Sequence, residues 1–203
     1  MKVESVDPND QLLLDLHIKV LQKILLQEPF DQIKIHYQQN MNDLNYIEII
    51  KNSGHLSFDD GNKLIGAYPI SPSPTDYSVN LEGIGEGFSM CAVDALGIPY
   101  TFMRKTIIKT IDKSTGNDLE LIIDPHSENQ EILDIFVAYQ NTPEDLQGSN
   151  SAAKVQCPTI NFYSSKSDIP SNLQTWTYLQ ALEYAKKRFS RAEMLARIKK
   201  IIN

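Results

Sequence analysis

The chain is organised around one short stretch, Glu86-Gly-Phe-Ser-Met-Cys-Ala-Val-Asp-Ala-Leu-Gly-Ile-Pro99. Within it Ser89 is a candidate N-cap, and residues 90–96 are a run of good helix formers. Gly97 and Pro99 are residues that commonly follow the end of a helix. The pattern therefore predicts a short helix from Met90 to Leu96 with both of its ends marked.

This helix carries a cysteine and an aspartate at a spacing that suggests a site. Residues three apart lie on one helix face, so the Cys91 sulfur and the Asp94 carboxyl are expected to face the same space. A position near the positive N-terminal end is expected to lower the pKa of the Cys91 thiol and to favour the thiolate, the nucleophilic and metal-binding form. The alternative is that Cys91 packs as a small apolar core residue and that Asp94 is merely solvated.

Composition sets the class of protein and excludes some partners. A chain of 203 residues is long enough for one domain or two small ones with a real core. Its content of 41% hydrophobic and 22% charged residues is ordinary for a soluble globular protein. The formal net charge of −7 argues against a chain that holds phosphate backbones, so nucleic acid is not an expected partner.

The expected cellular compartment decides which roles the cysteines can have. The first eight residues lack the apolar core of a signal peptide, and no later run reaches the roughly 18 apolar residues of a membrane span. We therefore expect a cytoplasmic protein with no membrane partner. There, Cys91 and Cys157 are expected to be reactive, metal-binding or inert thiols rather than a disulfide. The four histidines show no zinc-site spacing.

The N-terminal part is predicted to be helical. Leucine and isoleucine recur at helical spacing over residues 10–27, a helix opened by Asn9 or Asp10 and ended by Pro29. Two further helices are predicted over residues 30–39 and 44–51.

A small hairpin is predicted next. Residues 56–68 form two strand-like pieces around Asp60-Gly61, a strong turn signal. Helices followed by a small hairpin are typical of a winged helix. Because the third helix offers only Lys51 as a cation and has Glu48 beside it, we interpret the module as structural rather than DNA-binding.

The remainder of the chain alternates strands and helices. Residues 70–77 are rich in proline and serine and are predicted to be a connector that cannot be a central strand. A longer hairpin is predicted from residues 105–111 and 119–123 around the turn at 112–118. Residues 131–139 could be a strand or a short helix, and a polar loop is predicted over 141–151.

The C-terminal part holds the second cysteine and the last helices. Residues 155–165 are predicted to be a strand with Cys157 near its start. Residues 172–202 are predicted to be mostly helical. Their expected core face is Trp176, Leu179, Leu182, Tyr184 and Ala185, and their basic ends, Lys186-Lys-Arg188 and Lys199-Lys200, are expected to form a solvated face.

These elements predict an α+β fold. A helical, winged-helix-like N-terminal unit is followed by a mixed or antiparallel sheet core flanked by helices. We predict an N-terminal domain over residues 1–68, a Pro/Ser connector over 69–80 and an α+β core with C-terminal helices over 81–203. The sequence makes no prediction of oligomeric state.

Three stretches together resemble the organomercurial lyases, also called alkylmercury lyases. They are Tyr68-Pro-Ile-Ser-Pro-Ser-Pro-Thr-Asp-Tyr77, Cys91-Ala-Val-Asp-Ala-Leu96 and Cys157-Pro-Thr-Ile-Asn-Phe-Tyr-Ser-Ser165. That family has a winged-helix-like N-terminal part, a proline-rich segment, a Cys-x-x-Asp helix, a hairpin and a second cysteine that opens an aromatic strand. The order here is the same, and the likeness extends roughly from Leu12 to Trp176.

The resemblance implies a site and a reaction. Cys91, Cys157 and Asp94 would form the mercury site, with the cysteines holding the metal and Asp94 handling the proton, and residues 81–203 would be the catalytic core. The substrate would be a small organomercurial, no cofactor would be needed, and cellular thiols would remove the Hg(II) product. Such an enzyme serves mercury resistance and detoxification.

The chemistry suits these residue types. Mercury is a soft metal, and soft thiolates bind soft metals. Thiolate donation makes the carbon bound to mercury more basic, and a nearby acid can then protonate it. We hypothesise that Asp94 takes a thiol proton as the thiolates bind R–Hg⁺ and returns it to carbon, which releases R–H. Both tasks require the pKa of Asp94 to lie above its usual value of about 3.9, as burial would cause.

Two departures from the family pattern stand out. Many members carry a further cysteine in the hairpin, where this chain has Thr110-Ile-Asp-Lys113, and an aromatic residue often stands where this chain has Met90. By the resemblance, the missing hairpin cysteine is structural, so we expect its loss to affect stability more than chemistry.

Two other functions compete with the lyase. One is a non-enzymatic, thiol-based heavy-metal binder or sensor on the same fold, which would need both cysteines but could spare Asp94. The other is a regulatory or scaffolding winged-helix protein in which both cysteines belong to the core.

Ser89, Thr159, Asn161 and Tyr163 could shape a pocket, although strand packing is the simpler explanation for each.

Overall fold

The computed structural model describes residues 8–33, 46–128, 130–140 and 152–202. The helices are α1 (Pro8–Leu25), α2 (Tyr46–Asn52), α3 (Ala92–Phe102), α4 (Tyr178–Arg188) and α5 (Arg191–Ile202). The strands are β1 (Leu56–Phe58), β2 (Leu64–Ala67), β3 (Ile70–Ser71), β4 (Ser78–Leu81), β5 (Gly85–Ser89), β6 (Thr106–Ile111), β7 (Asp118–Ile123), β8 (Phe136–Tyr139), β9 (Asn161–Tyr163) and β10 (Gln174–Thr177).

Two antiparallel sheets organise these strands. The larger has seven strands in the order β1-β2-β3-β5-β4-β6-β7, and the smaller has the order β10-β8-β9. Every pairing between described strands is antiparallel. Helix α3 packs on β5 and α4, and α1 packs on β3, β5 and α5. The predicted α+β class, with helices flanking an antiparallel sheet, is confirmed.

The N-terminal helix starts earlier than predicted. Asn9 and Asp10 lie inside α1, which begins at Pro8. Proline suits the first turn of a helix because its missing N–H has no partner there in any case. Residues 30–33 are helical, as predicted, and the rest of that predicted helix falls outside the described residues. The third predicted helix, over residues 44–51, corresponds to α2, and residues 44 and 45 lie outside the described part of the chain.

Both predicted hairpins are present. Strands β1 and β2 pair with Leu56 opposite Ala67, and β6 and β7 pair from Thr106–Ile123 to Ile111–Asp118. Of the two structures considered for residues 131–139, the strand is correct, because β8 covers Phe136–Tyr139. The predicted loop over 141–151 lies outside the described residues.

The prediction that the Pro/Ser connector cannot form a central strand is wrong. Ile70 and Ser71 form β3, which pairs with β2 on one side and with β5 on the other. The prolines lie on either side of this strand, so the two residues that pair keep their N–H groups. One sheet thus contains strands from both predicted domains, and the division at residues 69–80 remains a prediction.

Helix α3 runs past both predicted stop residues. It continues through Gly97 and Pro99 to Phe102, and Met103 closes it in the left-handed conformation. All eleven of its residues are buried, so packing outweighs the hydrogen bond that Pro99 cannot donate. Gly97 is required by its neighbour, because a Cβ atom there would lie 2.1 Å from Cδ2 of Phe189.

The C-terminal segment is only partly helical at its start. Trp176, predicted on a helix, lies on β10, and a capping box of Thr177 and Gln180 opens α4 after it. Leu182 and Ala185 are buried as predicted, whereas Leu179 and Tyr184 are exposed. None of the described helices is both long enough and apolar enough to cross a membrane.

A buried aspartate ties the β6–β7 turn to the end of β9. The Asp112 carboxylate accepts hydrogen bonds from Ser114 and from the N–H of Thr115, and its other oxygen accepts from the N–H and hydroxyl of Ser164. Desolvation alone would raise the pKa of Asp112, but these donors outweigh it and hold the pKa well below its usual range. Asp112 lies in the hairpin segment, residues 110–113, where the resemblance implied a further cysteine.

A pair of buried histidines links α1 to β1. The rings of His17 and His55 lie 4.7 Å apart, and neither ring nitrogen of His17 has a hydrogen-bond partner among the described residues. His55 Nδ1 lies 2.6 Å from the Ser53 hydroxyl. Burial lowers the pKa of His17 to about 3. Burial, followed by the charges of His17 and Arg188, also lowers the pKa of His55. Both rings are therefore neutral in the folded protein at pH 7.

We expect these histidines to make the fold sensitive to acid. His17 takes up its proton near pH 6.5 when unfolded but only near pH 3 when folded, so stability is complete above pH 6.5 and falls as the pH drops below it. At pH 5 the loss from His17 is about 2 kcal/mol. Guanidinium unfolding at pH 7.5 and pH 5 measures it. Between these two pH values His17→Phe should lose less free energy of unfolding than the wild type. His126→Phe, which alters an exposed histidine, should lose as much as the wild type. Equal losses in all three proteins would contradict this origin.

Candidate active site

The first cysteine lies at the junction of β5 and α3. Cys91 occupies the N-cap position with an extended backbone, and its carbonyl accepts the N–H of Ala95 at 2.9 Å. Ser89, the predicted cap, is instead the last residue of β5, and its hydroxyl lies within hydrogen-bond distance of the carbonyls of Pro69 and Cys91. The prediction that Cys91 sits at the N-terminal end of the helix is confirmed, with the helix starting two residues later than expected.

Asp94 faces the same space as Cys91, as the three-residue spacing predicted. It lies in the first turn of α3, and its Oδ2 is 3.1 Å from the Cys91 sulfur. The geometry is that of a thiol S–H donating to a carboxylate oxygen.

The second cysteine precedes its strand rather than lying within it. Cys157 begins a short 3₁₀ turn, Cys157–Thr159, and β9 starts at Asn161. Pro158 fixes the backbone of this turn and has no N–H to pair in a sheet, which explains why the strand begins later. The turn is docked on α3 because the carbonyl of Ile160 accepts the N–H of Ala92 at 3.2 Å.

Buried tyrosine Tyr77 supports this docking from the other side. Its hydroxyl lies 3.1 Å from the carbonyl of Ile160 and 2.9 Å from Oδ1 of Asn161. The turn that carries Cys157 is therefore attached both to the first residue of α3 and to the segment before β4. These contacts set the distance between the two cysteines.

The structure brings all three predicted site residues together. The Cys157 sulfur lies 3.6 Å from Asp94 Oδ2, so one carboxylate oxygen is near both sulfurs. The three candidate ligand atoms lie within 4.8 Å of one another, and the three side chains are 1%, 4% and 6% exposed. Among the described residues this is the one group of three or more such side chains close enough to share a metal ion.

Burial shapes the acid–base properties of this cluster. Desolvation raises the pKa of Asp94 to about 7, against a smaller opposing effect of hydrogen bonds from Cys91 and Cys157 and of the Arg188 charge. The predicted direction for Asp94 thus agrees with its environment.

The prediction for Cys91 was wrong. Burial, assisted by the neighbouring Cys157 and Asp94, raises the pKa of the Cys91 thiol instead of lowering it. A helix N-terminus stabilises a thiolate by only a modest amount, which complete desolvation outweighs. Cys91 is therefore a thiol at neutral pH, and it must give its proton to a base before it can bind a metal as thiolate.

The cluster opens into a cavity of about 510 Å³. The aromatic part of its wall is made by Tyr68, Tyr139, Trp176, Tyr184 and Phe189. Trp176 stacks between Tyr139 and Tyr184, with ring centroids 4.2 Å and 4.9 Å away. The wall suits an apolar group placed beside the two sulfurs.

Among the cavity residues that the sequence did not assign to a site, Tyr68 and Arg188 stand out. The Tyr68 hydroxyl lies 4.0 Å from the Cys157 sulfur. Arg188, expected on a solvated basic face, is half-buried and lines the cavity. The apolar core face of α4, on which position 185 was predicted, was the signal that could have placed position 188 one turn further along that face. Ser89, Thr159, Asn161 and Tyr163 do not line the cavity.

Comparison with known proteins gives the family. A family model described as alkylmercury lyase matches residues 70–201, about two thirds of the chain. The fold is similar to that of a solved structure described as the mercury-bound form of MerB2, with a TM-score of 0.58 and 17% identity over 96% of this chain and 97% of that one. No curated protein matches the chain significantly. From the extent of the family match, the chain belongs to the alkylmercury lyases, enzymes that cleave carbon–mercury bonds.

Proposed function

We propose that this organomercurial lyase uses Cys91 and Cys157 as its two mercury ligands and Asp94 as the group that moves the proton. One observation carries the proposal: a single buried carboxylate oxygen lies 3.1 Å from one sulfur and 3.6 Å from the other. A protein that only stored mercury would need the sulfurs but not a carboxyl between them. The placement of Asp94 therefore favours the lyase over the metal binder.

The first step is thiol exchange. An organomercurial held by a thiolate, R–Hg–S–R′, transfers to one protein sulfur, and the proton of that thiol leaves with R′–SH. The second cysteine then binds the metal, and its proton passes to Asp94. Because burial raises the pKa of Asp94 to about 7, the carboxylate can accept this proton and can also release it again near neutral pH.

The second step is protonolysis. Two sulfur donors increase the electron density on the carbon bound to mercury. The carbon–mercury bond breaks with its electron pair remaining on carbon, and that carbon takes the proton from Asp94. The products are R–H and Hg(II) held by the two thiolates. Asp94 begins this step protonated and ends it ionised, which is its state before the second cysteine gave up its proton.

Release of the metal completes the cycle. Two external thiols take Hg(II) away as a bis-thiolate and return their protons to Cys91 and Cys157. The cycle consumes one organomercurial and requires no cofactor. It needs a compartment in which small thiols stay reduced, such as the cytoplasm.

Phenylmercury in limiting thiol tests the scheme. Purified protein should release one benzene per chain and retain one Hg(II), and an excess of small thiol should convert this single turnover into continuous turnover. Gas chromatography measures benzene, and mercury is measured in the desalted protein. Retention of phenylmercury without benzene would establish a metal binder instead. The absence of both signals would mean that the two cysteines are core residues with no role in binding mercury.

A further inference from the structure

The charged residues of the cavity suggest a second contact for the substrate. Although the chain carries a net charge of −7, the charged side chains that line this cavity, among the residues that the structure describes, are Asp94, Arg188 and Arg197. The described lining of this cavity thus holds two guanidinium groups and a single carboxyl, in a protein that is acidic as a whole.

The two arginines differ in what they already bind. Arg197 pairs with Glu193 on the preceding turn of α5, with Nε 3.4 Å from the carboxylate oxygen. Arg188 has no ion pair with any acidic side chain among the described residues, and its guanidinium lies over the Phe189 ring at 5.6 Å. Its charge lowers the pKa values of both Asp94 and His55, so it acts on the interior of the cavity.

We propose that Arg188 is an anion-binding residue that holds a carboxylate carried by one of the two groups attached to mercury. A half-buried guanidinium offers paired N–H donors that match a carboxylate, and its bonds to one are stronger than those between neutral groups. The inference rests on the proposed function, because it needs the mercury atom to reach Cys91 and Cys157 in the same cavity.

The carboxylate has two possible sources. In the exchange step the thiolate R′–S⁻ enters with mercury, so a carboxylate on that thiol would be brought into the cavity next to the cysteines. A carboxylate on the organic group R would enter in the same way. Arg188 would recognise the same chemistry in both cases, and the two sources can be separated by the choice of substrate.

Two matched pairs of compounds test the proposal. Phenylmercury is presented on 3-mercaptopropionate or on 2-mercaptoethanol, and 4-mercuribenzoate is compared with phenylmercury on 2-mercaptoethanol. For each pair the ratio of kcat/KM values is measured. We expect the wild type to prefer the carboxylate-bearing member of at least one pair by about tenfold, the size of one charge-assisted contact.

Variants of adjacent cations provide the control. Arg188→Gln should bring the ratio to about one, Arg188→Lys should keep part of it, and Lys187→Gln, which alters an exposed cation on the same helix, should keep all of it. Should Arg188→Gln fail to fold, the fall from wild type to Arg188→Lys decides the point. A wild-type ratio of one in both pairs, or a preference that survives in both Arg188 variants, would overturn the proposal.

A binding measurement separates this inference from the lyase itself. Trp176 is the single tryptophan of the chain and lines the cavity, so its fluorescence reports binding without turnover. We expect a lower Kd for the carboxylate-bearing compound than for its uncharged partner, and we expect Arg188→Gln to abolish this difference. That result would support the anion site even if no hydrocarbon formed. Equal Kd values together with normal benzene release would overturn the anion site and leave the lyase intact.

Discussion

Asp94→Asn should lower the turnover of phenylmercury by about 10³-fold while the protein still retains one mercury per chain. The amide keeps the size of the carboxyl but can neither take the thiol proton nor deliver it to carbon, and such proton transfers contribute about 10²–10⁴-fold to rates. The two sulfurs remain in place, so the variant should hold phenylmercury with its carbon–mercury bond intact. Benzene release and mercury retention measure the two effects separately.

The pH dependence distinguishes proton transfer from a structural role. Asp94 must be ionised to accept the thiol proton, so kcat/KM of the wild type should rise with pH through about 7. Asp94→Asn should lack this rise, and Asp134→Asn, which alters an exposed carboxylate, should keep both the rate and the profile. Cys91→Ser should lose both turnover and stable retention of mercury. An Asp94→Asn rate within about tenfold of the wild type would exclude the assigned role.

Gly87→Ala should destabilise the fold by about 3 kcal/mol, at the upper end of the usual cost of overpacking. A Cβ atom at Gly87 would lie 2.5 Å from the carbonyl oxygen of Leu25 and 2.6 Å from its Cδ1. The oxygen belongs to the backbone at the end of α1, so it cannot rotate away as a side chain could. Strand β5 and α1 would have to separate.

Guanidinium unfolding measures the loss, and Gly61→Ala provides the control. Gly61 is exposed, does not have a positive φ, and has as its nearest neighbour a flexible Asp59 side-chain oxygen at 3.3 Å, so alanine there should change stability by less than about 1 kcal/mol. Because β5 leads directly into Cys91, we also expect Gly87→Ala to reduce activity at temperatures where it is still folded. Equal stabilities of the two variants would contradict this account of the α1–β5 packing.

Local patterns predicted the parts of the fold that local interactions determine. Both hairpins follow from turn residues between apolar-rich arms, and the Cys91–Asp94 contact follows from helical spacing. The prediction that the helix ends at Gly97 was wrong because the glycine has a different role. Phe189, almost a hundred positions away in the chain, packs in the space that a side chain at position 97 would fill, and this contact is not visible in the local sequence.

The chemistry of the site was predictable in type but not in energetic detail. The resemblance selected the three residues that the fold brings together, and burial of Asp94 was anticipated as a requirement. The pKa of the Cys91 thiol was misjudged because helix position is visible in the sequence, whereas complete enclosure by α3, β5 and the Cys157 turn is not. The core face of α4 could have indicated that Arg188 is partly buried, but the cavity that it lines depends on how α4 packs on α3.

The Asp112 clamp has a consequence for how the protein tolerates its own substrate. The hairpin is tied to β9 by hydrogen bonds to the Asp112 carboxylate, with no sulfur atom involved, and both cysteines of the chain lie in the reactive cluster. A released Hg(II) ion therefore finds no thiol outside the cluster on the same molecule, so it cannot be held by a cysteine that has only a structural role. Two equivalents of a reagent that modifies one thiol at a time therefore correspond to one active centre, and inactivation by excess metal should be fully reversed by a dithiol chelator.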